Sequence, residues 1–329
     1  MIITRTPFRI SFVGGGSDLP DFYRAHGGAV LSTTIDKYMY ISSHRFFESD
    51  RIRVKYSRTE TVSSVEDIEH PIVRTVFRDM GVEGGLEVSS IADVPSGTGM
   101  GSSSSFTVGL VHNMHARAGH AADRELLARA ACAVEIEKLG EPIGKQDQYA
   151  AAYGGLNVIR FNRDDSVSIE PVSMNIDVRD ALERRLMLFY TGDQRSASAI
   201  LDTQRRAISQ ADKQAALRTM VSLVDDLKRD LEAGDLDAMG RLLHENWMLK
   251  KELAAGITNP VIDAAYDAAR SAGALGGKLL GAGGGGFLLF DVPSGAREPV
   301  RRALSDLYEF PFRFETGGSS VIFHDNTAP

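Results

Sequence analysis

The segment from Asp93 to Phe106 constrains this chain more than any other. It reads Asp-Val-Pro-Ser-Gly-Thr-Gly-Met-Gly-Ser-Ser-Ser-Ser-Phe and lies between an apolar strand pattern, residues 86–91, and an apolar helical pattern that begins at Thr107. Three glycines at alternate positions let a backbone approach a ligand closely and adopt torsions that other residues avoid. The start of a helix adds unpaired N–H groups and the positive end of the helix dipole. This arrangement is typical of a phosphate site, whereas a flexible Gly/Ser linker does not stand between two apolar elements.

Two better-known phosphate motifs are not matched. The P-loop requires Gly-x-x-x-x-Gly-Lys-Ser/Thr. The segment from Gly140 to Gln146 is one residue short of it and lacks the hydroxyl. The dinucleotide fingerprint Gly-x-Gly-x-x-Gly occurs at residues 281–286, but it leads into a strand pattern at residues 287–290 instead of opening a helix. The sequence therefore supports neither a P-loop fold nor a Rossmann fold.

Residues 95–105 resemble the second signature of the GHMP kinases, Pro-x-x-x-Gly-Leu-Gly-Ser-Ser-Ala-Ala. One methionine replaces the usual leucine and serines replace the alanines, and both changes are conservative in size. The other two signatures of the family fall where they are expected, so the resemblance spans nearly the whole chain. It implies that the loop binds the phosphates of ATP through ten residues: Pro95, Ser96, Gly97, Thr98, Gly99, Met100, Gly101, Ser102, Ser103 and Ser104.

The first family signature is a strand that contains an arginine and ends in a glycine turn with an aspartate. Here the β pattern of residues 2–13 contains Arg9 and ends in the turn Gly-Gly-Gly-Ser-Asp18-Leu-Pro. By itself this could be a glycine turn with an Asp cap. The resemblance implies instead a sugar-binding loop, since a carboxylate can accept hydrogen bonds from two adjacent hydroxyls. Its residues would be Gly15, Gly16, Ser17 and Asp18. The sequence of this turn resembles that of the heptose 7-phosphate kinase branch rather than that of galactokinase.

Residues 139–155 resemble the family stretch whose aspartate faces the acceptor hydroxyl. The match implies that Asp147 is catalytic, with Arg9 of the first signature beside it. Lys145 and Gln146 are predicted to bind the substrate, Lys145 as a cation near the site loop that could hold a substrate phosphate. From the residues alone, Asp147 could instead be the N-cap of a helix at residues 148–153.

The same alignment implies a magnesium site. Glu135 matches the family's magnesium-binding glutamate, and Ser103 would be the other protein ligand. Mg²⁺ takes few protein ligands and completes its shell with water and phosphate oxygens, so a serine and a glutamate are sufficient. Without the resemblance, a glutamate near a helix end is usually a solvated charge.

The second half of the chain predicts a strand at residues 186–190, then three or four helices. Arg195, in the turn after that strand, could hold a substrate phosphate or cap a surface loop. The third family signature, residues 278–290, is a glycine hairpin between two apolar strands, and the resemblance implies that it packs onto the site. Residues 312–314 and 321–323 are predicted to be the closing strands of the second domain.

Composition excludes other classes of protein. The net charge of −7 argues against a general nucleic-acid partner, and no apolar run approaches membrane length. The N-terminal segment, broken by Pro7 and two arginines, is not a signal peptide. The single Cys132 excludes an internal disulfide and fits a reducing compartment. We therefore expect a cytoplasmic protein that binds no membrane and is a monomer or homodimer.

The sequence thus predicts an α+β protein with the two-domain GHMP kinase fold, because 329 residues are too many for most single cores. Residues 1–175 would be a ribosomal protein S5 domain 2-like ATP-binding domain and residues 176–329 a ferredoxin-like C-terminal domain. The expected reaction transfers the γ-phosphoryl group of ATP, with Mg²⁺, to a sugar or sugar phosphate. The specific acceptor group expected is the anomeric hydroxyl of a heptose 7-phosphate. The alternatives are another sugar such as fucose or mannose, a nucleotide-binding regulatory protein without turnover, and a dinucleotide-binding protein that uses residues 281–286.

Overall fold

The computed structural model describes residues 1–192 and 197–325, and the structural statements below concern these residues. The strands are β1 (Ile2–Val13), β2 (Gly28–Arg45), β3 (Ile52–Lys55), β4 (Thr59–Val62), β5 (Leu86–Ala92), β6 (Leu156–Phe161), β7 (Val167–Pro171), β8 (Leu186–Tyr190), β9 (Gly276–Leu279), β10 (Phe287–Asp291), β11 (Tyr308–Glu309), β12 (Phe314–Glu315) and β13 (Ser320–His324). The helices are α1 (Pro20–His26), α2 (Pro71–Asp79), α3 (Ser102–Arg117), α4 (Arg124–Cys132), α5 (Gln146–Tyr153), α6 (Ile176–Arg185), α7 (Ala197–Ala207), α8 (Ala211–Glu232), α9 (Asp237–Leu253), α10 (Pro260–Ser271) and α11 (Arg297–Ala303). The predicted α+β class is confirmed.

A nine-stranded sheet organises the first half of the chain, with the central order β13-β1-β2-β5-β3-β4. The long strand β2 pairs with β6 through its first residues and with β5 through its last ones, so it carries two extensions of the sheet. Every residue of β1 after Arg5 is buried. Helices α3 and α5 pack on this strand, and α8 and α9 also contact it. The sequence of this strand alternates, so Thr6, Arg9 and Ser11 are buried together with its apolar residues.

A four-stranded antiparallel sheet, in the order β11-β8-β10-β9, forms the second half. The predicted glycine hairpin is confirmed, because β9 and β10 pair antiparallel with Leu279 opposite Leu288. Helix α8 has one apolar face, in which Leu217, Leu227 and Leu231 are fully buried. Each such leucine stabilises the fold by about 1.5–3 kcal/mol relative to an exposed one.

The last two strands do not close the second sheet, so that prediction is wrong. Strand β12 pairs with β2, and β13 pairs with β1 at the edge of the first sheet. The C-terminal residues therefore return to the domain in which the chain began. The boundary between residues 175 and 176 stays a prediction.

In the part of the chain that the structure describes, no helix is both long and apolar enough to span a membrane.

Candidate active site

Helix α3 begins directly behind the glycine loop, in the arrangement that the sequence predicts. Gly97, Gly99 and Gly101 all have positive φ angles, of 76°, 82° and 75°. A Cβ atom on Gly99 would lie 2.7 Å from the carbonyl oxygen of Leu280, so the glycine hairpin packs against the loop. The N-cap of α3 is Gly101, which has no side chain to bond the first-turn N–H groups. Those donors are left available to a ligand.

Six of the ten residues of the predicted phosphate loop line the cleft in front of α3. The lining residues from the loop are Gly97, Gly99, Gly101, Ser102, Ser103 and Ser104. Thr98 and Met100 shape the loop instead. The hydroxyl of Thr98 donates to the carbonyl of Pro95 over 2.9 Å. Met100 is fully buried, and its carbonyl accepts a hydrogen bond from the backbone N–H of Arg9. Ser96 is exposed and outside the lining.

Arg9 and Asp147 form a bidentate ion pair in the cleft. Arg9 Nε donates to Asp147 Oδ1 over 2.7 Å, and Nη2 donates to Oδ2 over 2.9 Å. Arg9 Nη1 donates to the carbonyl of Gly99 over 2.5 Å, which ties the pair to the phosphate loop. Asp147 lies in the first turn of α5 behind the N-cap residue Lys145, so the interpretation of Asp147 as an N-cap is wrong. The arginine instead fixes the direction of the carboxylate.

Asp18 is buried where the glycine turn meets the start of α5. Its Oδ1 accepts from the N–H of Gly16 over 3.1 Å, and Oδ2 accepts from the N–H of Gln146 over 3.3 Å. Burial, with the nearby charge of Asp147, raises the pKa of Asp18 to about 6. Gly15, Gly16, Asp18 and Gln146 line the cleft. Ser17 does not, because its hydroxyl donates to the carbonyls of Gly14 and Ala29.

Glu135 is a buried residue, so its interpretation as a solvated charge is wrong. Glu135 lies in a π-helical segment, residues 133–138, that follows α4, and it is 1% exposed. Its Oε1 accepts from the Ser103 hydroxyl over 2.6 Å, and Oε2 accepts from Gln148 Nε2 over 2.7 Å. Burial raises the pKa of Glu135. A hydroxyl and a carboxylate side by side are hard oxygen donors that fit Mg²⁺.

Two predicted substrate residues are not found at the cleft. Lys145 Nζ donates to the carbonyl of Asp165 over 2.9 Å and lies 5.1 Å from the ring centroid of Tyr23, and it is not part of the lining. Arg195 lies outside the described residues.

Four polar side chains of the cleft lining have no role in the sequence-based predictions: Ser11, Gln204, Lys250 and Lys278. Each is at least nine-tenths buried. The position of Lys250 in the sequence could have indicated that it is buried. It follows Trp247 by three residues and precedes Leu253 by three, so it occupies a core position of α9. A lysine in an apolar helical stripe indicates a buried charge, which proteins rarely keep without a use.

Comparison with known proteins gives a consistent result. The model of the GHMP kinases N terminal domain matches residues 68–155, and that of the GHMP kinases C terminal matches residues 227–309. The D-glycero-alpha-D-manno-heptose 7-phosphate kinase of Campylobacter jejuni is 27% identical over 92% of this chain and 93% of that protein. The bifunctional fucokinase/GDP-fucose pyrophosphorylase of Arabidopsis thaliana is 26% identical over 92% of this chain but only 31% of its own length.

The crystal structure of a D-glycero-D-manno-heptose 1-phosphate kinase from Bacteroides thetaiotaomicron has a similar fold. Its TM-score to this chain is 0.80 at 27% sequence identity, and the match covers 99% of this chain and 100% of that one.

Proposed function

The chain belongs to the GHMP kinase family and is an ATP-dependent phosphotransferase that acts on a sugar hydroxyl, and we propose that its acceptor is a heptose phosphate. The specific reaction is transfer of the γ-phosphoryl group to the anomeric hydroxyl of D-glycero-D-manno-heptose 7-phosphate, giving the 1,7-bisphosphate. The observation that carries the chemistry is the Arg9–Asp147 pair, which lies against the glycine loop at the start of α3.

Phosphoryl transfer requires positioning and charge neutralisation more than covalent help from the protein. The acceptor oxygen forms a bond to the γ-phosphorus as the bond to the β–γ bridging oxygen breaks, and the hydroxyl proton passes to the carboxylate of Asp147. Arg9 holds both carboxylate oxygens, so Asp147 has one orientation before the acceptor arrives. A base held in advance lowers the entropic part of the barrier.

The acceptor end of the cleft supports a ligand with several hydroxyls. Three polar atoms there are buried and have no hydrogen-bond partner in the described part of the chain: Ser11 Oγ, Gln204 Nε2 and Gln146 Oε1. Buried polar atoms are nearly always paired, so these indicate a partner supplied by a ligand. With Asp18 they offer donors and acceptors together, which is what a sugar ring needs.

Magnesium is part of the proposal. Ser103 and Glu135 would hold the ion, since their oxygens are adjacent and hard. When bound, Mg²⁺ would neutralise the charge of the nucleotide phosphates.

A free sugar is the second candidate acceptor. It is favoured by the position of Lys145, which is engaged by Asp165 and is not available at the cleft for a sugar phosphate. Fucose and mannose are the sugars to test first. Of the three similar proteins described above, two are named for phosphorylated heptoses and one for fucose.

A panel of acceptors distinguishes the candidates. Coupled ADP release is measured with heptose 7-phosphate, heptose, fucose and mannose, and the product is analysed by phosphorus NMR. We expect the heptose 7-phosphate to have the highest kcat/KM and a new phosphate coupled to the anomeric proton. Equal kcat/KM values for the heptose and its 7-phosphate would refute the phosphorylated acceptor. ATP binding without turnover on any sugar would leave the regulatory protein as the better hypothesis.

A further inference from the structure

Two lysines are buried in the cleft, and in the described residues neither is in ion-pair contact with a carboxylate. Lys250 of α9 is 6% exposed and Lys278 of β9 is 2% exposed. Neither forms an ion pair within residues 1–192 and 197–325, although both line the same cleft as Arg9. Arg9 is already engaged by Asp147. Burying an uncompensated charge is costly, so a cluster of this kind is completed by an anionic ligand.

The ammonium groups of Lys250 and Lys278 have different hydrogen-bond partners, which indicates different roles. Lys278 Nζ donates to the carbonyl of Phe12 over 2.9 Å. Phe12 lies three residues beyond Arg9 on β1, or about 10 Å along an extended strand, towards the glycine turn. Lys250 Nζ donates to the carbonyls of Leu279 and Gly281 in the glycine hairpin. An ammonium group has three donors, so one donor of Lys250 remains for a ligand.

Lys250 is attached to the place where the hairpin meets the phosphate loop. A Cβ atom on Gly281 would lie 2.3 Å from Gly99 Cα, so these two backbones are in direct contact. The carbonyl of Gly99 accepts from Arg9 Nη1, and Arg9 in turn holds Asp147. The ammonium of Lys250 is thus tied to the loop residue that also anchors the catalytic pair.

We propose that Lys250 is a catalytic residue that contacts the γ-phosphoryl group of ATP and carries positive charge to it from the second half of the chain. This inference rests on the proposed kinase function. A cation aimed at the transferring group stabilises charge that builds up during transfer, and such a group acts strongly in a site that excludes water. Lys278, whose Nζ donates to the carbonyl of Phe12, is not required to touch the nucleotide.

The competing explanation is that Lys250 only clamps the hairpin carbonyls. The next residue provides a matched control, because Lys251 lies on the same helix, faces Asp263 at 3.5 Å and does not line the cleft. The variants are Lys250→Met, which keeps the length of the side chain without its charge, Lys250→Arg, and Lys251→Met. Binding of ATP and ADP is measured by calorimetry with Mg²⁺, and kcat is measured with the best acceptor.

We expect Lys250→Met to weaken ATP binding about tenfold or more while ADP binding changes little, since only ATP has the γ-phosphate. Turnover should fall about 10²–10³-fold, the usual loss when one charge-stabilising donor is removed. Lys250→Arg should recover part of both losses, and Lys251→Met should behave as wild type. Equal weakening of ATP and ADP binding, or a loss of thermal stability with kcat unchanged, would overturn the proposal. Lys250 would then serve only to hold the hairpin carbonyls.

Proton uptake provides a measurement on the unmodified protein. Burial, together with the charge of Arg9, lowers the pKa of Lys250 to about 7. The charged groups that share its cleft are Arg9, Asp18, Asp147 and Lys278. At pH 8 most of the Lys250 population is neutral, so contact with a γ-phosphate should draw a proton that ADP does not.

Calorimetry at pH 8 in buffers of different ionisation enthalpy counts this proton. We expect greater proton uptake with ATP than with ADP in wild type and in Lys251→Met, and no difference in Lys250→Met. Equal uptake with both nucleotides in wild type, at every pH through the titration of Lys250, would refute the proposal even if Lys250→Met does not fold. If proton uptake is greater with ATP than with ADP but no sugar is phosphorylated, the contact between Lys250 and the γ-phosphate is supported and the proposed function is refuted.

Discussion

Replacing Asp147 by asparagine tests the mechanism most directly, because it removes the charge and almost none of the volume. Asparagine retains one oxygen that can accept from Arg9 Nε, and it loses the second bond from Nη2. Removing one partner of a buried ion pair costs about 3–5 kcal/mol, whereas an exposed pair contributes below about 1 kcal/mol. The side chain of Arg9 is 5% exposed and that of Asp147 is 24% exposed. We therefore expect a loss of about 2 kcal/mol in the free energy of unfolding.

The expected loss of activity is larger than this loss of stability suggests. Turnover should fall about 10²–10⁴-fold, the usual range for a positioned acid–base group. The affinity for ATP should barely change, because the glycine loop and the start of α3 supply that binding. The assays are coupled ADP release, calorimetry with ATP and circular dichroism on the same preparation.

A second buried pair in the chain provides the matched control. Arg185 and Asp291 make the same two-bond contact, at 2.8 and 2.9 Å, and Asp291 is fully buried outside the cleft. Asp291→Asn should lower the unfolding free energy at least as much as Asp147→Asn while kcat stays at the wild-type value. Turnover of Asp147→Asn within a few-fold of wild type would exclude Asp147 from the mechanism. An equal loss of kcat in Asp291→Asn would assign the effect to general destabilisation.

Three further predictions concern the loop, the metal and the acceptor turn. Gly101→Val should weaken ATP binding at least tenfold, because a left-handed φ of 75° strains valine and a Cβ there lies 3.2 Å from Asp147 Oδ2; unchanged calorimetric affinity would refute the loop assignment. Glu135→Gln should raise the Mg²⁺ concentration needed for half-maximal turnover and lower kcat, whereas a Mg²⁺ titration that overlays wild type would exclude Glu135 as a ligand. The ionised form of Asp18 should bind the acceptor, so kcat/KM for the sugar should fall as the pH drops through about 6. Because its pKa is raised from 3.8 to about 6, ionisation of Asp18 should lower the stability of the fold as the pH rises between those values, so the stability of wild type relative to Asp18→Asn should fall over that range in pH-dependent denaturant titrations.

The sequence by itself determined the elements whose signals are local. The glycine loop, the start of α3 and the hairpin of β9 and β10 depend on residues that are neighbours in the chain. Glycine at a position that needs a positive φ, and apolar residues at the helical spacing of α8, remain readable without any partner. Family resemblance added the roles of Arg9 and Asp147, which no local pattern contains.

Only the tertiary structure decided the contacts between distant segments. Arg9 and Asp147 are 138 residues apart, and their pairing follows from α5 packing on β1. The return of β12 and β13 to the first sheet is a matter of strand pairing, and the strands themselves read the same in either sheet. Lys145 shows that closeness in the sequence can mislead. It lies two residues before Asp147, which suggests that it also lines the cleft, but its side chain donates to the carbonyl of Asp165. The pKa and the orientation of a charged side chain depend on the groups that bury it and bond to it. Those groups come from residues that are far apart in the sequence.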